Sequence, residues 1–223
     1  MNTKIRSGWT RFIMSLVHRN PEQVARFHAV VSQYIEIVKP EYEDYFHTRN
    51  APASPQTFDE FWRAARAEIV GRTWIELIQS VIDSVAVGTH FNRLIWRVIE
   101  LRSSRTLLTG DRPIIMTNGI DKPDSHLAIP IGPRKLFLAA HTVEWSNAIR
   151  RDKADNVIAF VNDKIVRQAR RFCVGTDDKQ LRFFANRFGA MEPSSPIETM
   201  PLPTAEELRR LALPTPQEHG GAD

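Results

Sequence analysis

Residues 126–140 read His-Leu-Ala-Ile-Pro-Ile-Gly-Pro-Arg-Lys-Leu-Phe-Leu-Ala-Ala, and this stretch decides how the second half of the chain folds. It contains two apolar runs of similar length with a Gly-Pro pair between them. Short apolar runs separated by turn residues are typical of neighbouring strands. The stretch therefore predicts two antiparallel strands joined by a tight turn.

The register of this hairpin follows from the position of its turn. With the Gly-Pro pair (132–133) at the tip of a two-residue loop, Asp124 falls opposite His141 and His126 falls opposite Ala139. A carboxylate facing an imidazole is a candidate ligand pair or acid–base couple. Ordinary hairpin or surface structure is the alternative interpretation of Asp124 and His141.

The sequence on both sides of the hairpin continues this alternation of short apolar runs and turns. A helical spacing of apolar side chains returns after the hairpin, and a last helix is expected to pack in the core. The predicted strands are 94–101, 106–109, 114–116 and 172–175, and the predicted helices are 154–170 and 177–188.

The first part of the chain has its apolar residues at helical spacing instead. One helix is predicted to end near Arg19, and Asn20-Pro21 begins another that runs to about Val38, before Pro40. After a proline-containing loop, one long or kinked helical region is predicted over 57–86, closed by Gly88.

These patterns predict an α+β fold, with an N-terminal helical half followed by a small mixed or antiparallel sheet with flanking helices. We expect a single domain over residues 1–190, helical over 3–88 and sheet-containing over 92–190. Residues 191–223 are rich in proline, which predicts a partly disordered C-terminal tail.

Composition excludes several classes of protein. The chain has 223 residues, is 42% hydrophobic and carries a net charge of +4, which excludes disordered, collagen-like and rod-like proteins. No apolar run approaches the roughly 18 residues of a membrane span, and no secretory signal is visible. We therefore expect a cytoplasmic protein that does not enter a membrane.

Cofactor and metal motifs are missing from the sequence. The single cysteine, Cys173, excludes an intrachain disulfide and a thiolate zinc site, and its apolar neighbours favour a buried structural thiol. The glycines do not form a phosphate-binding loop, and the histidines do not have metal-ligand spacing. The sequence predicts no cofactor and no metal site.

Asp111 is the strongest candidate for chemistry. It lies in the turn Thr-Gly-Asp-Arg-Pro over 109–113, directly after a predicted strand. A carboxylate held at a strand end can act as a base or a metal ligand. The alternative is structural: an Asx turn, in which the Asp111 side chain accepts a hydrogen bond from the backbone just beyond it.

A second candidate site is a basic face on the helix predicted over 154–170 and its continuation. Apolar residues share one side, and the opposite side carries the basic side chains Lys164, Arg167, Arg170 and Arg171. Such a stripe can contact nucleic-acid phosphates. An ordinary solvated helix face, partly neutralised by Asp163, is the alternative.

Two segments carry a family resemblance. Residues 106–113 read Thr-Leu-Leu-Thr-Gly-Asp-Arg-Pro, and residues 127–138 read Leu-Ala-Ile-Pro-Ile-Gly-Pro-Arg-Lys-Leu-Phe-Leu. They resemble the Thr-Ser-Asp-x-Pro turn and the Pro-Leu-Ser-Pro segment of the mainly bacterial family called domain of unknown function 4238. An Asn-bearing helix before a short strand also resembles the family, with Asn162 in that place. The resemblance implies a shared fold unit and a bacterial setting, not an activity.

The chain departs from the family pattern at three places. Gly110 and Gly132 stand where the two family motifs have serine, although the aspartate and proline positions match. Relatives also open with a His-rich segment, and this chain begins after the point where that segment would stand. If the two serines carry chemistry in relatives, the resemblance implies that this chemistry is lost at Gly110 and Gly132.

No complete catalytic constellation is present, so the sequence leaves the biochemical function unknown. The first hypothesis is a non-catalytic binding or accessory module, with a protein partner as one possibility. The alternatives are a weak nucleic-acid binder that uses the basic helix face, and a metal-dependent hydrolase or nuclease that uses Asp111.

Overall fold

A computed structural model describes residues 3–48, 57–117, 122–191, 206 and 209. The described chain divides into two compact units. We call residues 21–83, with 206 and 209, the helical unit. We call residues 3–20 and 84–191 the sheet unit.

The helical unit contains α2 (Pro21–Ile37), α3 (Lys39–Thr48) and α4 (Phe58–Ile82). Pro40 lies in the first turn of α3, where its missing N–H costs little, and Val38 is the single residue between α2 and α3. Thr57 begins α4 by accepting a hydrogen bond from the Glu60 N–H at 3.3 Å. Apolar side chains from all three helices form one core, including Phe27, Val31, Ile35, Tyr42, Phe46, Trp62, Val70 and Leu77.

The elements of the sheet unit, in chain order, are α1 (Thr3–His18), α5 (Val85–Arg93), β1 (Ile95–Glu100), β2 (Thr109–Gly110), β3 (Ile115–Thr117), β4 (His126–Gly132), β5 (Lys135–Ala140), α6 (Val143–Arg151), α7 (Ala154–Gln168), β6 (Cys173–Val174) and α8 (Leu181–Ala185). Four of the strands form an antiparallel sheet in the order β1-β5-β4-β3. The strands β2 and β6 form a separate antiparallel pair.

Alternation along the strands gives the four-stranded sheet two apolar faces, and helices cover both. One face carries Phe137 and Ala139 of β5, which pack with Ile13 of α1 and Phe91 of α5. The other face carries Leu136 and Leu138, which pack with Val157, Ile158, Val161 and Ile165 of α7. The predicted α+β fold, with a helical N-terminal half and a small antiparallel sheet flanked by helices, is confirmed.

The hairpin is present, but its predicted register is wrong by one residue. Gly132 pairs with Lys135, so the two loop residues are Pro133 and Arg134. A bulge between Pro130 and Gly132 then places His126 opposite Ala140. The physical reason is proline: its fixed φ suits the first position of a tight turn and not the second.

Three helix predictions also need correction. α4 ends at Ile82, and the Ser84 hydroxyl accepts a hydrogen bond from the Val87 N–H at 3.4 Å, so α5 starts there and contains Gly88. The last helix is only Leu181–Ala185 after a 3-10 turn, and Leu181 is 58% exposed, so this helix is not core. α6 was not predicted.

The predicted domain boundaries stay predictions, both the single domain over 1–190 and the tail over 191–223. Most of the tail over 191–223 lies outside the described residues, although Arg209 pairs with Glu41 (Nε to Oε1, 3.1 Å). Among the residues that the structure describes, no helix is long and apolar enough to cross a membrane.

Because His18 is buried, we expect the free energy of unfolding to depend on pH. Burial lowers the pKa of His18 from 6.5 to about 4. Between these values the unfolded chain binds a proton that the folded chain does not, so stability is lost as the pH falls through this window. The difference between the two pKa values of His18 corresponds to a loss of roughly 3 kcal/mol in the free energy of unfolding.

We therefore expect the free energy of unfolding, measured by urea titration from pH 7 to pH 4, to fall less steeply in His18→Leu than in the wild type. His28→Leu, which changes an exposed histidine, is the matched control. Equal pH dependence in the wild type and His18→Leu would contradict the assignment.

Candidate functional site

Asn162 of α7 forms hydrogen bonds with the segment that precedes Asp111. The Asn162 side chain is buried and accepts a hydrogen bond from the Leu108 N–H at 2.8 Å. Its amide group donates to the Thr106 carbonyl at 2.9 Å and to the Gln180 side chain at 2.8 Å. Asn162, which the family resemblance singled out, therefore satisfies backbone groups of residues 106–108. In this part of the predicted strand 106–109, a side chain takes the place of a partner strand.

Gln168 fastens the segment that follows Asp111. Its amide nitrogen donates to the carbonyl oxygens of Arg112 and, at 3.0 Å, of Ile114. Sequence reasoning missed Gln168, although its position one turn beyond the buried Ile165 placed it on the inner face of α7. α7 thus binds backbone on both sides of the Asp111 turn.

The Asp111 carboxylate binds backbone rather than standing free at a strand end. The Arg170 N–H lies 3.1 Å from Oδ1 and 3.2 Å from Oδ2, and the Arg171 N–H lies 3.1 Å from Oδ2. The Asp111 N–H donates in turn to the Phe172 carbonyl at 3.2 Å. The structural alternative foresaw a local Asx turn, but the partners of Asp111 lie 59 and 60 residues further along the chain.

Gly110 allows this close approach of the two segments. A Cβ atom at residue 110 would lie 2.8 Å from the Phe172 carbonyl oxygen and 3.2 Å from Cys173 Sγ. Gly132 has more room, because a Cβ there would lie 3.8 Å from the Lys135 Cβ. The pairing of β2 with β6 therefore requires glycine at position 110. Nothing comparable requires glycine at position 132.

Cys173 is half-buried beside this turn. Burial raises the pKa of its thiol to about 11, and the negative charge of Asp111 acts in the same direction. The thiol is therefore protonated at neutral pH, which fits a packing role and not a nucleophile.

The predicted basic face does not form as one surface. α7 ends at Gln168 and Ala169 is extended, so Arg170 and Arg171 lie beyond the helix. The reason is Asp111, whose carboxylate binds the N–H groups of Arg170 and Arg171. The predicted arc for these two arginines is wrong.

The basic side chains of the predicted face have different contacts in the structure. Arg167 Nε pairs with Asp163 at 2.8 Å, one turn earlier on α7. The Arg170 guanidinium donates to the Gly189 and Met191 carbonyls at 2.8 and 2.6 Å. Lys164 instead lines a pocket, with its ammonium 5.7 Å from the Phe160 ring.

The predicted register that put Asp124 opposite His141 is wrong. His126 lies opposite Ala140 at the end of β5, where the prediction put it opposite Ala139. The His141 ring contacts the His90 ring, with centroids 5.3 Å apart. Asp124 acts on His126: burial lowers the pKa of His126, and a hydrogen bond to the Asp124 backbone and the Asp124 charge oppose that shift.

The structure does bring Asp111 and Lys164 together, from two separately predicted sites. Both line one pocket of about 120 Å³, and Arg112 lines it as well. Neither Asp124 nor His141 lines this pocket. Its apolar wall comes from α1, from the chain around β3 and from the end of the described chain: Leu16, Val17, Ile114, Met116 and Met191. Among the described residues, no group of three His, Cys, Asp or Glu side chains is placed to hold a metal ion.

The two glycines at the family serine positions provide a matched test. Gly110→Ser should lower the free energy of unfolding by about 1–3 kcal/mol, because the new Cβ overlaps the Phe172 carbonyl. Gly132→Ser should change it by less than about 0.5 kcal/mol. Urea denaturation measures both values, and equal effects would show that β2 and β6 do not require Gly110.

Asp111 provides a second test, which separates a structural role from a catalytic one. Asp111→Asn replaces one acceptor oxygen with an amide that faces the N–H groups of Arg170 and Arg171. We expect a loss of about 1–3 kcal/mol in the free energy of unfolding. Asp178→Asn, at an exposed position, is the control. Unchanged stability in Asp111→Asn would leave the carboxylate available for chemistry.

Comparisons with known proteins extend the family resemblance. The sequence model of the family described as "Protein of unknown function (DUF4238)" matches residues 1–179. No curated protein and no solved structure matches the chain significantly. The match includes the Asp111 turn, the hairpin and Asn162, and it covers most of the 223 residues. The chain therefore belongs to the DUF4238 family.

Proposed function

We propose that this protein is a non-catalytic binding module, and that the pocket lined by Asp111 and Lys164 holds a small anion with an apolar body. The biochemical function of the family is unknown, so the proposal rests on the chemistry of the pocket. A bacterial, cytoplasmic setting belongs to the same proposal. The family resemblance supports the bacterial part, and a single cysteine is compatible with a reducing compartment.

The observation that carries the proposal is the state of the Asp111 carboxylate. Both of its oxygens accept hydrogen bonds from the backbone N–H groups of Arg170 and Arg171. A carboxylate used in this way has its lone pairs directed at the backbone, which opposes a role as a base or as a metal ligand. This supports a binding role for the pocket over hydrolysis by Asp111.

The charged side chains that line the pocket are Asp111, Arg112 and Lys164, and their net charge of +1 favours an anion. In the described part of the chain the Lys164 ammonium makes no ion pair, and it is only half-exposed. Arg112 adds a second positive charge, and its guanidinium also donates to the Asn20 side chain at 3.3 Å. The apolar wall of Leu16, Ile114 and Met116 suits a short hydrocarbon body.

Nucleic-acid binding remains the second candidate. Lys164 and Arg171 still carry positive charge near one end of α7, and Arg171 is exposed. The pairing of Arg167 with Asp163 and the backbone contacts of Arg170 leave less free charge than the sequence suggested. A metal-dependent nuclease ranks third, because it also needs the Asp111 carboxylate.

The test compares butyrate with 1-butanol, which has a similar apolar body and no charge. We expect butyrate to shift the NMR signals of the Ile114 and Met116 amides, with Lys164→Gln weakening its binding roughly tenfold. Butanol binding should not change in Lys164→Gln. Arg171→Gln, outside the pocket, is the matched control.

Equal binding of butyrate in Lys164→Gln and the wild type would overturn the proposal. Salt-dependent binding of random DNA that is lost in Arg171→Gln would favour the nucleic-acid candidate instead.

A further inference from the structure

A groove runs along the outer side of β1, apart from the pocket of Lys164. One wall is formed by six consecutive residues, 97–102, of which 97–100 belong to β1 and the last two follow it. The groove has a volume of about 530 Å³. The opposite wall is the end of α6 and the start of α7, with Ile149, Arg150, Asp152 and Ala154. Because consecutive residues line the groove, it follows the backbone of the strand.

β1 is an edge strand of the four-stranded sheet. It pairs with β5 on one side, and the described strand order leaves its other side unpaired. Alternate backbone N–H and C=O groups of an edge strand face outward and can pair with another chain. Six residues of extended chain span about 20 Å, enough for a peptide of similar length.

The side chains of the groove have excess positive charge. Arg97, Arg102 and Arg150 are exposed, and in the described part of the chain none of the three makes an ion pair. The groove also contains two acids, Glu100 and Asp152, so the side chains that line it carry a net charge of +1. Asp152 accepts hydrogen bonds from the Lys153 N–H at 2.7 Å and the Asn156 side chain at 2.9 Å. Glu100 lies opposite Lys135 in the register of β1 and β5.

We propose that this groove binds an extended, acidic peptide segment of a partner protein, which adds to the sheet as a strand beside β1. The unpaired backbone edge supplies the hydrogen bonds of strand addition. The three arginines select acidic side chains, since each can bind a carboxylate through two parallel hydrogen bonds. Val98, an apolar side chain of the same strand that is 59% exposed, suits alternate apolar residues of the peptide.

A peptide explains the groove better than a nucleic acid does. Strand addition needs backbone donors and acceptors at the spacing of a second strand. The edge of β1 offers unpaired N–H and C=O groups at that spacing along its length. Phosphates need positive charge alone and would leave the acceptor groups of β1 without donors. The inference is independent of the anion pocket, because the two sites share no residue.

The experiment uses the full chain and a fluorescent six-residue peptide of alternating Glu and Val, with binding followed by anisotropy. A peptide of alternating Lys and Val tests the sign of the charge. A third peptide has the acidic sequence with N-methyl groups on alternate residues of the edge that faces β1, which removes backbone donors and leaves the charges in place. Both registers of methylation are tested.

We expect the acidic peptide to bind, the basic peptide not to bind, and one methylated register to bind at least tenfold more weakly. The double variant Arg97→Gln/Arg150→Gln should weaken the acidic peptide at least tenfold. Arg63→Gln, an exposed arginine of the helical unit, and Lys164→Gln, at the anion pocket, should bind it like the wild type.

Two results would overturn the proposal. Equal binding of all acidic peptides, methylated or not, would show that charge alone acts and that no strand is added. Binding of neither peptide at low salt, or tighter binding of a random oligonucleotide with the same dependence on Arg97 and Arg150, would show that the groove does not recognise a peptide. The butyrate experiment tests the anion pocket only, so its failure would not contradict the peptide proposal.

Discussion

The sheet unit depends on one constraint: the chain between β1 and β3 has little strand pairing, yet its backbone polar groups must be satisfied. Side chains of α7 do most of this, with Asn162 binding residues 106–108 and Gln168 binding residues 112–114. Asp111 completes the set by binding the backbone just after α7. Three polar side chains therefore hold an irregular segment between the helix and the sheet.

This constraint determines the surroundings of the residues that looked most reactive in the sequence. A carboxylate, a buried amide and a half-buried thiol lie near one another around the Asp111 turn. The carboxylate and the amide are used by backbone groups, and burial keeps the thiol protonated. What remains for a ligand is positive charge beside an apolar wall, and positive charge beside an open strand edge. Both remaining surfaces favour binding over catalysis.

Local patterns predicted most elements, and the misses have identifiable causes. The hairpin, the first two helices and α7 follow from apolar spacing and from proline positions. The predicted register was wrong because Pro133 takes the first position of the loop and not the second, and the bulge beside Pro130 then changes every pairing beyond it. α7 was extended too far, since the apolar spacing continues to Phe172 although that side chain is 53% exposed. Of the candidate site, Asp111 and Lys164 line one pocket, whereas the register that put Asp124 opposite His141 was wrong.

The amino-acid sequence by itself determined the α+β class, the family and the positions of the residues that deserved attention. These depend on periodicity, turn residues and short motifs, all of which are local. Only the tertiary structure decided what those residues do. The partners of Asp111 lie some sixty residues away, the close approach at Gly110 exists only when β2 meets β6, and the groove of β1 needs α6 and α7 beside it. Contacts between distant parts of a chain set the availability of a carboxylate or an arginine, and local sequence does not encode them.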